Sequence, residues 1–383
     1  MTAPIVAVVG GGQLARMMTG PATELGITLR VLVESPDAAA ALSAHEAVVG
    51  LPKDADPVAT LLEGATVVTW EHEHIPAAVF EAAAERGVPA LPSAAALTHA
   101  QDKIVMRSRM DALGLPNPAW AQVHTEDDVE AFLAAHDGHA VLKTARGGYD
   151  GKGVRVIHSA ADAKDWIDAQ ATGGPQLLVE ELVPYSRELA AQVARTASGR
   201  VVAYPVVEST QKDGVCAEVI APAPDLSDAL AAEITELAVT IATELDVVGM
   251  LAVELFQVGQ HVVINELAMR PHNSGHWSMD GAVTGQFEQH LRAVLDLPLG
   301  STQPKAAWTV MANVLGGARE HLSAALADVD DPDAKIHLYG KEVRPGRKVG
   351  HVNLAGDDLD DVLTRARNAA DIVRDGKQTG GGA

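Results

Sequence analysis

Short apolar runs alternate with helix-like segments along the first hundred residues. The runs have the length of β-strands, and they fall at residues 5–9, 29–33, 67–70 and 88–91. A segment with helical spacing, 13–19, follows the first of them. Strands that alternate with helices predict a parallel sheet with right-handed crossovers. We therefore expect a Rossmann-like α/β domain over residues 1–100.

The pattern changes after residue 100, where strand-like runs follow one another across short turns. Thr125-x-x-Asp128 is a helix-capping pattern at the start of this part. Ser227 begins a long amphipathic helix further on. The runs fall at 140–145, 154–157, 177–180, 190–196 and 201–206, with a last pair at 251–256 and 262–267 around Gly259. Such hairpins predict an α+β domain with an antiparallel sheet over residues 101–298.

The segment from Pro298 to Pro304 marks the next boundary, because it is rich in proline and glycine. Beyond it we expect a small mixed α/β domain at 299–376. The last residues, 377–383, have the composition of a disordered tail.

Composition and charge exclude several classes of protein. The chain has 383 residues and a formal net charge of −22, so most of its surface repels nucleic acid and anionic membranes. Aromatic residues make up only 3%, too few for the stacking platforms that bind single-stranded nucleic acid. No apolar run reaches the roughly 18–20 residues of a membrane span, and the first run lacks the flanks of a signal peptide. The lone cysteine, Cys216, fits a reducing compartment, so we expect a cytoplasmic protein. The charge and the lengths of the apolar runs predict small-molecule substrates and neither nucleic acid nor membrane as a partner.

A glycine turn, Gly10-Gly11-Gly12, joins the first strand to the first helix. Its backbone N–H groups are exposed at the N-terminus of the helix, and such a position is a natural anion-binding site. The dinucleotide fingerprint is incomplete, because Ala15 stands where a third glycine belongs, although Glu34 lies at a suitable distance for a ribose contact. A phosphate site and a tight structural turn both stay open.

A second glycine-rich segment, Arg146–Gly153, gives a stronger indication. It has four glycines in eight residues, with Lys143 on the strand before it. Such a loop can lie close over phosphates while the lysine supplies a point charge. We expect this loop to bind a nucleotide, and we expect Gly147–Gly153 to be mobile in its absence.

Two carboxylates, Glu254 and Glu266, interrupt the apolar strands of the last hairpin. Carboxylates inside strands are costly unless they are paired or bind a metal. A plain two-residue turn would place Glu254 opposite Asn265, with Glu266 on the other face. A three-residue loop or a β-bulge would instead bring both glutamates to one face, and we predict this second arrangement. Oxygen ligands without nearby His or Cys favour Mg²⁺ over zinc.

Polar residues also cluster after strand runs at three further places. Glu180–Val183 can present backbone groups to an adenine edge, with Glu188 within reach of ribose hydroxyls. The loop 270–277 is dense in hydrogen-bonding groups, and His272 or His276 would be a general base or a structural donor. Lys341 and Arg344–Lys348 place four cations within eight residues of an acidic protein, which favours a phosphate clamp over a solvated loop.

Taken in order, the lysine before a glycine-rich hairpin, the V-E-E strand and the E…N-E carboxylates resemble the ATP-grasp superfamily. The strings GGGQLARM, KTARGGYDGKG, NELAMRPHNSGHW and YGKEVRPGRKVGH resemble, within it, the N5-carboxyaminoimidazole ribonucleotide synthases. The resemblance covers nearly the whole chain. It implies an ATP-grasp fold with an N-terminal Rossmann-like (pre-ATP-grasp) domain and a small C-terminal mixed domain.

The resemblance also implies roles for individual residues. The residues expected to bind ATP are Lys103, Lys143, Gly148, Tyr149, Asp150, Gly151, Lys152, Gly153, Val154, Glu180, Glu181, Leu182, Val183, Glu188, Gln211, Asn265 and Glu266. Those expected to bind the ribonucleotide are Gln13, Leu14, Glu71, Asn273, Lys341, Arg347 and Lys348. Those expected at the reacting groups are Lys143, Tyr149, Asp150, Arg270, His272 and Asn273. Glu254 and Glu266 would ligate Mg²⁺.

The implied reaction uses ATP to activate bicarbonate as carboxyphosphate, which then carboxylates the amine of 5-aminoimidazole ribonucleotide in purine biosynthesis. The resemblance further implies a homodimer. Two alternatives stay open. One is a related ligase with another acceptor, such as a glycinamide ribonucleotide enzyme or a biotin-dependent carboxylase subunit. The other, resting on the first glycine turn alone, is a Rossmann oxidoreductase or a nucleotide-binding regulator without turnover.

Overall fold

The computed structural model describes residues 3–148, 153–212 and 214–376, and its strands form three sheets. The first is a parallel sheet of the order β3-β2-β1-β4. Its strands are β1 (Ile5–Val9), β2 (Thr28–Val33), β3 (Glu46–Val49) and β4 (Val67–Trp70). Its helices are α1 (Gln13–Glu24), α2 (Ala55–Leu62) and α3 (Ala77–Glu85). This parallel arrangement confirms the prediction for the first hundred residues.

The fourth strand of this sheet is not the one that the sequence predicts. Residues 88–91 make a single bridge, between Val68 and Ala90, because Pro89 has no N–H to donate to a ladder. Glu46–Val49 pairs instead at the far side, next to β2. This strand is mostly exposed, so it lacks the apolar run by which a buried strand is recognised.

Two helices, α4 (Ala94–Gln101) and α5 (Lys103–Ala112), lead to a small antiparallel sheet of the order β5-β8-β6-β7. Its strands are β5 (Trp120–Val123), β6 (Ala140–Thr144), β7 (Val154–Ile157) and β8 (Leu177–Glu181). The helices α6 (Glu126–Ala135) and α7 (Lys164–Ala171), with a 3₁₀ turn at Ala160–Ala163, cover it. The predicted hairpin of β6 and β7 and the capping box of Thr125 and Asp128 are both confirmed.

The third sheet is large and antiparallel, with the order β14-β13-β9-β11-β12-β15-β17-β16 and a short strand β10 beside β9. Its strands are β9 (Arg187–Arg195), β10 (Val201–Ala203), β11 (Val207–Lys212), β12 (Val215–Ala221), β13 (Gly249–Val258), β14 (His261–Ala268), β15 (Trp308–Leu315), β16 (Lys335–Leu338) and β17 (Lys348–Gly356). The strand predicted at 201–206 stops at Ala203, before Tyr204-Pro205. The polar strand β11 carries no apolar run and was missed.

Helices cover this sheet, and they are α8 (Asp228–Glu244), α9 (Ser278–Gly281), α10 (Gln286–Val294) and α11 (Leu359–Asp375), with 3₁₀ turns at Asn273–Gly275 and Leu322–Ala327. Ser227 caps α8 through its side chain, as predicted. The apolar face of α8 packs on β9 and β13. The C-terminal strands β15 to β17 continue the sheet of the preceding region without a break. Among the described residues, no helix has the length and apolar character needed to cross a bilayer.

Candidate active site

A cleft of about 990 Å³ collects almost all of the described candidate residues. It lies where the small sheet, the β13–β14 hairpin, the start of α1 and the β16–β17 loop meet. The predicted residues that line it are Gln13, Leu14, Glu71, Lys103, Lys143, Gly148, Val154, Glu180, Glu181, Leu182, Val183, Glu188, Gln211, Glu254, Asn265, Glu266, Arg270, His272, Asn273, Lys341, Arg347 and Lys348. Gly153 does not line it and packs against Thr144. Tyr149, Asp150, Gly151 and Lys152 lie outside the described residues, and with them most of the loop predicted to be mobile.

Lys143 points along the wall of the cleft from β6 and is almost fully buried. Its Nζ lies 2.7 Å from an oxygen of Glu180 on the neighbouring strand β8. Burial lowers the pKa of Lys143, which the charge of Glu180 partly counteracts. The pKa of Glu180 falls to about 2, because Lys143 and Arg107 outweigh the opposing effect of burial. Lys143 therefore stands at the cleft in an ion pair with Glu180.

The two hairpin carboxylates share one face of the sheet, as predicted. The turn is the two-residue one, since Val258 pairs with His261, but a bulge shifts the register between Glu254 and Leu255. Glu254 consequently pairs directly with Glu266. Side chains directly opposite on neighbouring strands have Cβ atoms about 4.5–5.5 Å apart, close enough to share one cation. The bulge alternative is confirmed by this register.

The electrostatics of this pair indicate a place for a cation. The pKa of Glu254 rises to about 8, because the surrounding protein removes water from the carboxyl group and because Glu266 and Glu188 add negative charge. His272 Nε2 lies 3.2 Å from Glu254, and Lys103 Nζ lies 3.3 Å from Glu266. Burial lowers the pKa of His272 well below its usual value, so its imidazole is neutral.

These carboxylates fit Mg²⁺ rather than a metal held by the protein alone. Among the described residues, no group of three or more His, Cys, Asp or Glu side chains is placed to hold a metal ion. Two protein carboxylates, with the remaining ligands from phosphates and water, are the usual donor set for Mg²⁺ at a nucleotide. Glu254 and Glu266 would hold such an ion.

Apolar side chains form the opposite end of the cleft, around the segment Glu180–Val183. Val154, Val156 and Leu182 are each more than a third exposed there. Tyr185 stacks on Phe256 with ring centroids 4.4 Å apart at the same end. Exposed apolar surface inside a cleft suits a flat aromatic base. Glu188 lies beside Tyr185, and burial raises the pKa of this carboxyl group.

The glycine turn of the N-terminal sheet is already filled by the chain itself. The carboxylate of Glu71 accepts hydrogen bonds from the N–H groups of Gly12 and of Ala15, the latter at 3.1 Å. A Cβ atom at Gly10 or Gly12 would collide with Glu71, and Gly10 has a φ of +111°. The glycines are thus required by Glu71, and a dinucleotide phosphate has no room at this helix N-terminus.

The C-terminal cations reach the N-terminal domain. Lys341, in the loop between β16 and β17, donates to the side-chain oxygen of Gln13 at the start of α1. Arg347 and Lys348 line the same part of the cleft. Arg344 does not, because its guanidinium pairs with Glu342 at 2.6 Å on the surface.

Asn273 and its neighbours divide between the cleft and the core. Asn313 on β15 donates to the side-chain oxygen of Asn273 at 3.2 Å and fixes it at the cleft wall. His276 and Trp277 are wholly buried. His276 Nδ1 lies 2.8 Å from Gln286 Nε2, and its ring stacks on His351. The structural alternative therefore holds for His276, whereas His272 lines the cleft.

Sequence reasoning missed Arg107, which is wholly buried beside the cleft and contacts Glu180 with two nitrogens. It also missed Glu73, whose carboxylate lies 2.9 Å from Arg270. One signal was present for Arg107. It stands four residues after Lys103, so both side chains lie on one face of α5.

Comparison with known proteins decides the family. Three family models match the chain, the ribonucleotide synthetase preATP-grasp domain over residues 3–101, the ATP-grasp domain over 108–287 and the phosphoribosylaminoimidazole carboxylase C-terminal domain over 309–365. The N5-carboxyaminoimidazole ribonucleotide synthase of Mycobacterium bovis is 49% identical over 390 aligned residues, which cover 99% of this chain and 90% of that protein. The chain belongs to the N5-carboxyaminoimidazole ribonucleotide synthase family.

Solved structures of this family have the same fold. The synthetase of Thermus thermophilus superposes with a TM-score of 0.86 at 37% identity and covers 98% of this chain and 99% of that one. The synthase of Aspergillus clavatus, in complex with ADP and 5-aminoimidazole ribonucleotide, gives a TM-score of 0.86 at 31% identity, with 97% and 99% covered. The family assignment, the ATP-grasp fold and the use of ATP are thereby confirmed, and the individual residue roles and domain boundaries stay predictions.

Proposed function

We infer that this member of the N5-carboxyaminoimidazole ribonucleotide synthase family is an ATP-dependent carbon–nitrogen ligase of purine biosynthesis. It carboxylates the amine of 5-aminoimidazole ribonucleotide with bicarbonate and releases ADP and phosphate. The observation that carries this conclusion is the cleft itself. A buried lysine on a glycine-rich hairpin, a carboxylate pair on a second hairpin and a C-terminal cationic loop all line it.

We propose that ATP lies with its base against the apolar end of the cleft and its phosphates toward Lys143 and Lys103. The backbone of Glu181 to Val183 would receive the adenine edge, and Glu188 the ribose. Mg²⁺ bound by Glu254 and Glu266 would supply charge neutralisation at the phosphates. The ammonium groups of Lys143 and Lys103 are held in place by carboxylates before ATP arrives, so little reorganisation is needed as charge develops on the phosphoryl group.

The chemistry would take place between the phosphates and the loop 270–273. An oxygen of bicarbonate attacks the terminal phosphorus of ATP, the bond to ADP breaks, and carboxyphosphate forms. The amine of the ribonucleotide then attacks the carboxyl carbon, the bond to phosphate breaks, and the proton of the amine passes to the released phosphate or to water. Arg270 offers positive charge to the carboxyphosphate, and the neutral imidazole of His272 lies within the same part of the cleft. A closed cleft protects carboxyphosphate from water.

The ribonucleotide phosphate would bind where the terminal domains meet. Lys341, Arg347 and Lys348 bring positive charge to a protein whose net charge is −22. Gln13 and Leu14 stand across from them at the start of α1, with Glu71 behind. The hydroxyl groups of the ribose are suitable donors to Glu71.

The oligomeric state and the location in the cell are proposals as well. We propose a homodimer in the cytoplasm, as family membership implies. Light scattering on the purified protein would contradict the first if it gave the mass of one chain, 39.9 kDa.

The deciding experiment is ADP release measured with the purified protein. We expect release to require both bicarbonate and 5-aminoimidazole ribonucleotide. Replacing the acceptor by glycinamide ribonucleotide or by biotin separates the related ligases. ADP release that does not depend on the aminoimidazole ribonucleotide would overturn the assignment.

A further inference from the structure

Arg107 contacts the strand that holds Lys143 in place. It lies on α5, wholly buried, and its Nε and Nη2 donate to the two oxygens of Glu180 at 2.8 and 3.1 Å. The same carboxylate accepts from Lys143 on its other side. The three charges sum to +1. Because Arg107 takes part of the negative charge of Glu180, the ammonium group of Lys143 keeps a surplus of positive charge toward the cleft.

The same guanidinium also contacts the carboxylate hairpin. Nη1 donates to the carbonyl oxygen of Ile264 at 2.6 Å, and Nη2 donates to that of Asn265 at 2.8 Å. In a regular strand, consecutive carbonyl groups point to opposite edges. One side chain reaches both here because the bulge leaves Asn265 without a partner on β13. Arg107 therefore binds the backbone at the bulge. A straight strand would not turn two consecutive carbonyl groups toward the same side chain.

The bulge in turn decides on which face of the sheet the carboxylate of Glu266 lies. Without it, Glu254 would face Asn265, and Glu266 would turn to the other side of the sheet. A buried arginine that satisfies the two carbonyls of the bulge stabilises the register in which Glu254 and Glu266 lie opposite each other. Lys103, one turn earlier on the same helix, contacts Glu266 itself at 3.3 Å.

We propose that Arg107 is a positioning residue for the nucleotide phosphates and their Mg²⁺, acting on Lys143 through Glu180 and on Glu266 through the bulge. The proposal rests on the proposed function, since it assumes that a nucleotide occupies this cleft. It assigns to one side chain the alignment of two sheets, the small sheet that carries Lys143 and the large sheet that carries the carboxylates.

Two variants separate the two contacts. Arg107→Lys keeps a positive charge that can pair with Glu180 but cannot donate to two carbonyls as well. Arg107→Met removes both contacts at similar volume. The control is Arg30→Met, because Arg30 binds a similar set of groups at a site that does not line the cleft. It contacts the carboxylate of Glu46 and the backbone carbonyl oxygens of Thr60, Leu61 and Glu63.

The readouts are the dissociation constant of ADP with and without Mg²⁺, by calorimetric titration, and the Michaelis constants of ATP and of the ribonucleotide. In Arg107→Lys we expect ADP to bind about tenfold more weakly with Mg²⁺ and within about twofold of wild type without it. In Arg107→Met both dissociation constants should rise by about tenfold or more. The Michaelis constant of the ribonucleotide should not change in either variant.

A purely structural role gives a different result. It would lower the active fraction, and hence kcat, and leave the dissociation constants of the folded molecules unchanged. Folded Arg107→Lys with wild-type ADP binding in the presence of Mg²⁺ overturns the proposal, and this variant decides the matter if Arg107→Met does not fold. If wild-type protein binds Mg·ADP but shows no bicarbonate-dependent turnover, the proposed function fails, while the titrations still test Arg107.

Discussion

At one end of the cleft the charged side chains are buried and pair with one another, whereas at the other end they stand on a loop. Lys143, Glu180 and Arg107 satisfy each other in the absence of any ligand. Lys341 and Arg347 lie in the connection between β16 and β17, Lys348 begins β17, and Lys341 donates to Gln13 at the start of α1. The difference indicates that buried ion pairs between α5, β6 and β8 hold the nucleotide end in place, whereas the ribonucleotide end is held by a contact between the start of α1 and the segment before β17.

The largest effect should come from the carboxylate hairpin. We expect Glu266→Ala to reduce turnover by at least about 100-fold, because the phosphates lose a ligand of their cation at the reacting centre. The fold should persist, since the side chain is 42% exposed and its ion pair with Lys103 lies at the cleft surface. Turnover reports the first effect, and thermal unfolding reports the second. Glu244→Ala, which removes a similarly exposed carboxylate paired with Arg109 outside the cleft, should behave as wild type.

The buried charges make a prediction about stability. Glu180→Gln should lower the free energy of unfolding at pH 7 by roughly 3 kcal/mol, because the native pKa of Glu180, about 2, lies below the ordinary value of 4.5 for a glutamate. A depressed pKa stabilises the fold fully above about pH 4.5, and this contribution is lost as the pH falls toward 2. Denaturant titrations should therefore show that the difference in the free energy of unfolding between variant and wild type becomes smaller below pH 4.5.

The exposed pair of Glu244 and Arg109 is the control for that series. Glu244→Gln should change the free energy of unfolding by no more than about 0.5 kcal/mol at any of these pH values. If the difference in the free energy of unfolding between Glu180→Gln and wild type stayed constant down to pH 3, Glu180 would not be held ionised by Lys143 and Arg107.

The smallest effect should appear at the loop. We expect Arg347→Met to raise the Michaelis constant of the ribonucleotide by about tenfold and to leave that of ATP unchanged, because one charged hydrogen bond to a phosphate is lost. Arg344→Met is the matched control, since Arg344 lies on the same loop but pairs with Glu342 on the surface. Initial rates at varied concentrations of each substrate measure both constants. Equal changes for the two arginines would place the ribonucleotide phosphate elsewhere.

How far the sequence predicts this site depends on the kind of contact. The shared face of Glu254 and Glu266 followed from parity, because two carboxylates in apolar strands have to share a face if they are to share a cation, and the structure achieves this by a bulge rather than by a three-residue loop. The lysine and its glycine loop followed from local spacing. These signals are contained within a few residues, and for that reason they can be read without knowing the fold.

Contacts between a side chain and the backbone of a distant segment could not be predicted in this way. Arg107 has no motif, since its partners at the bulge are carbonyl groups, which every residue has. Glu71 reveals its contact with the glycine turn only once β1 and β4 are known to be neighbours. The strand Glu46–Val49 was missed because an exposed strand at the border of a sheet needs no apolar run.

The unbroken run of strands from β12 into β15 has a consequence for how the protein can be divided. β12 and β15 are joined by four residue pairs, from Glu218–Ala312 to Ala221–Thr309. A chain cut at Pro298 would leave β12 with a row of bare N–H and C=O groups in what is now the middle of the sheet. Such a strand readily recruits another chain, so the truncated protein should aggregate. The segment after Pro298 thus protects the hydrogen-bonding groups of β12 as well as supplying cationic side chains to the cleft.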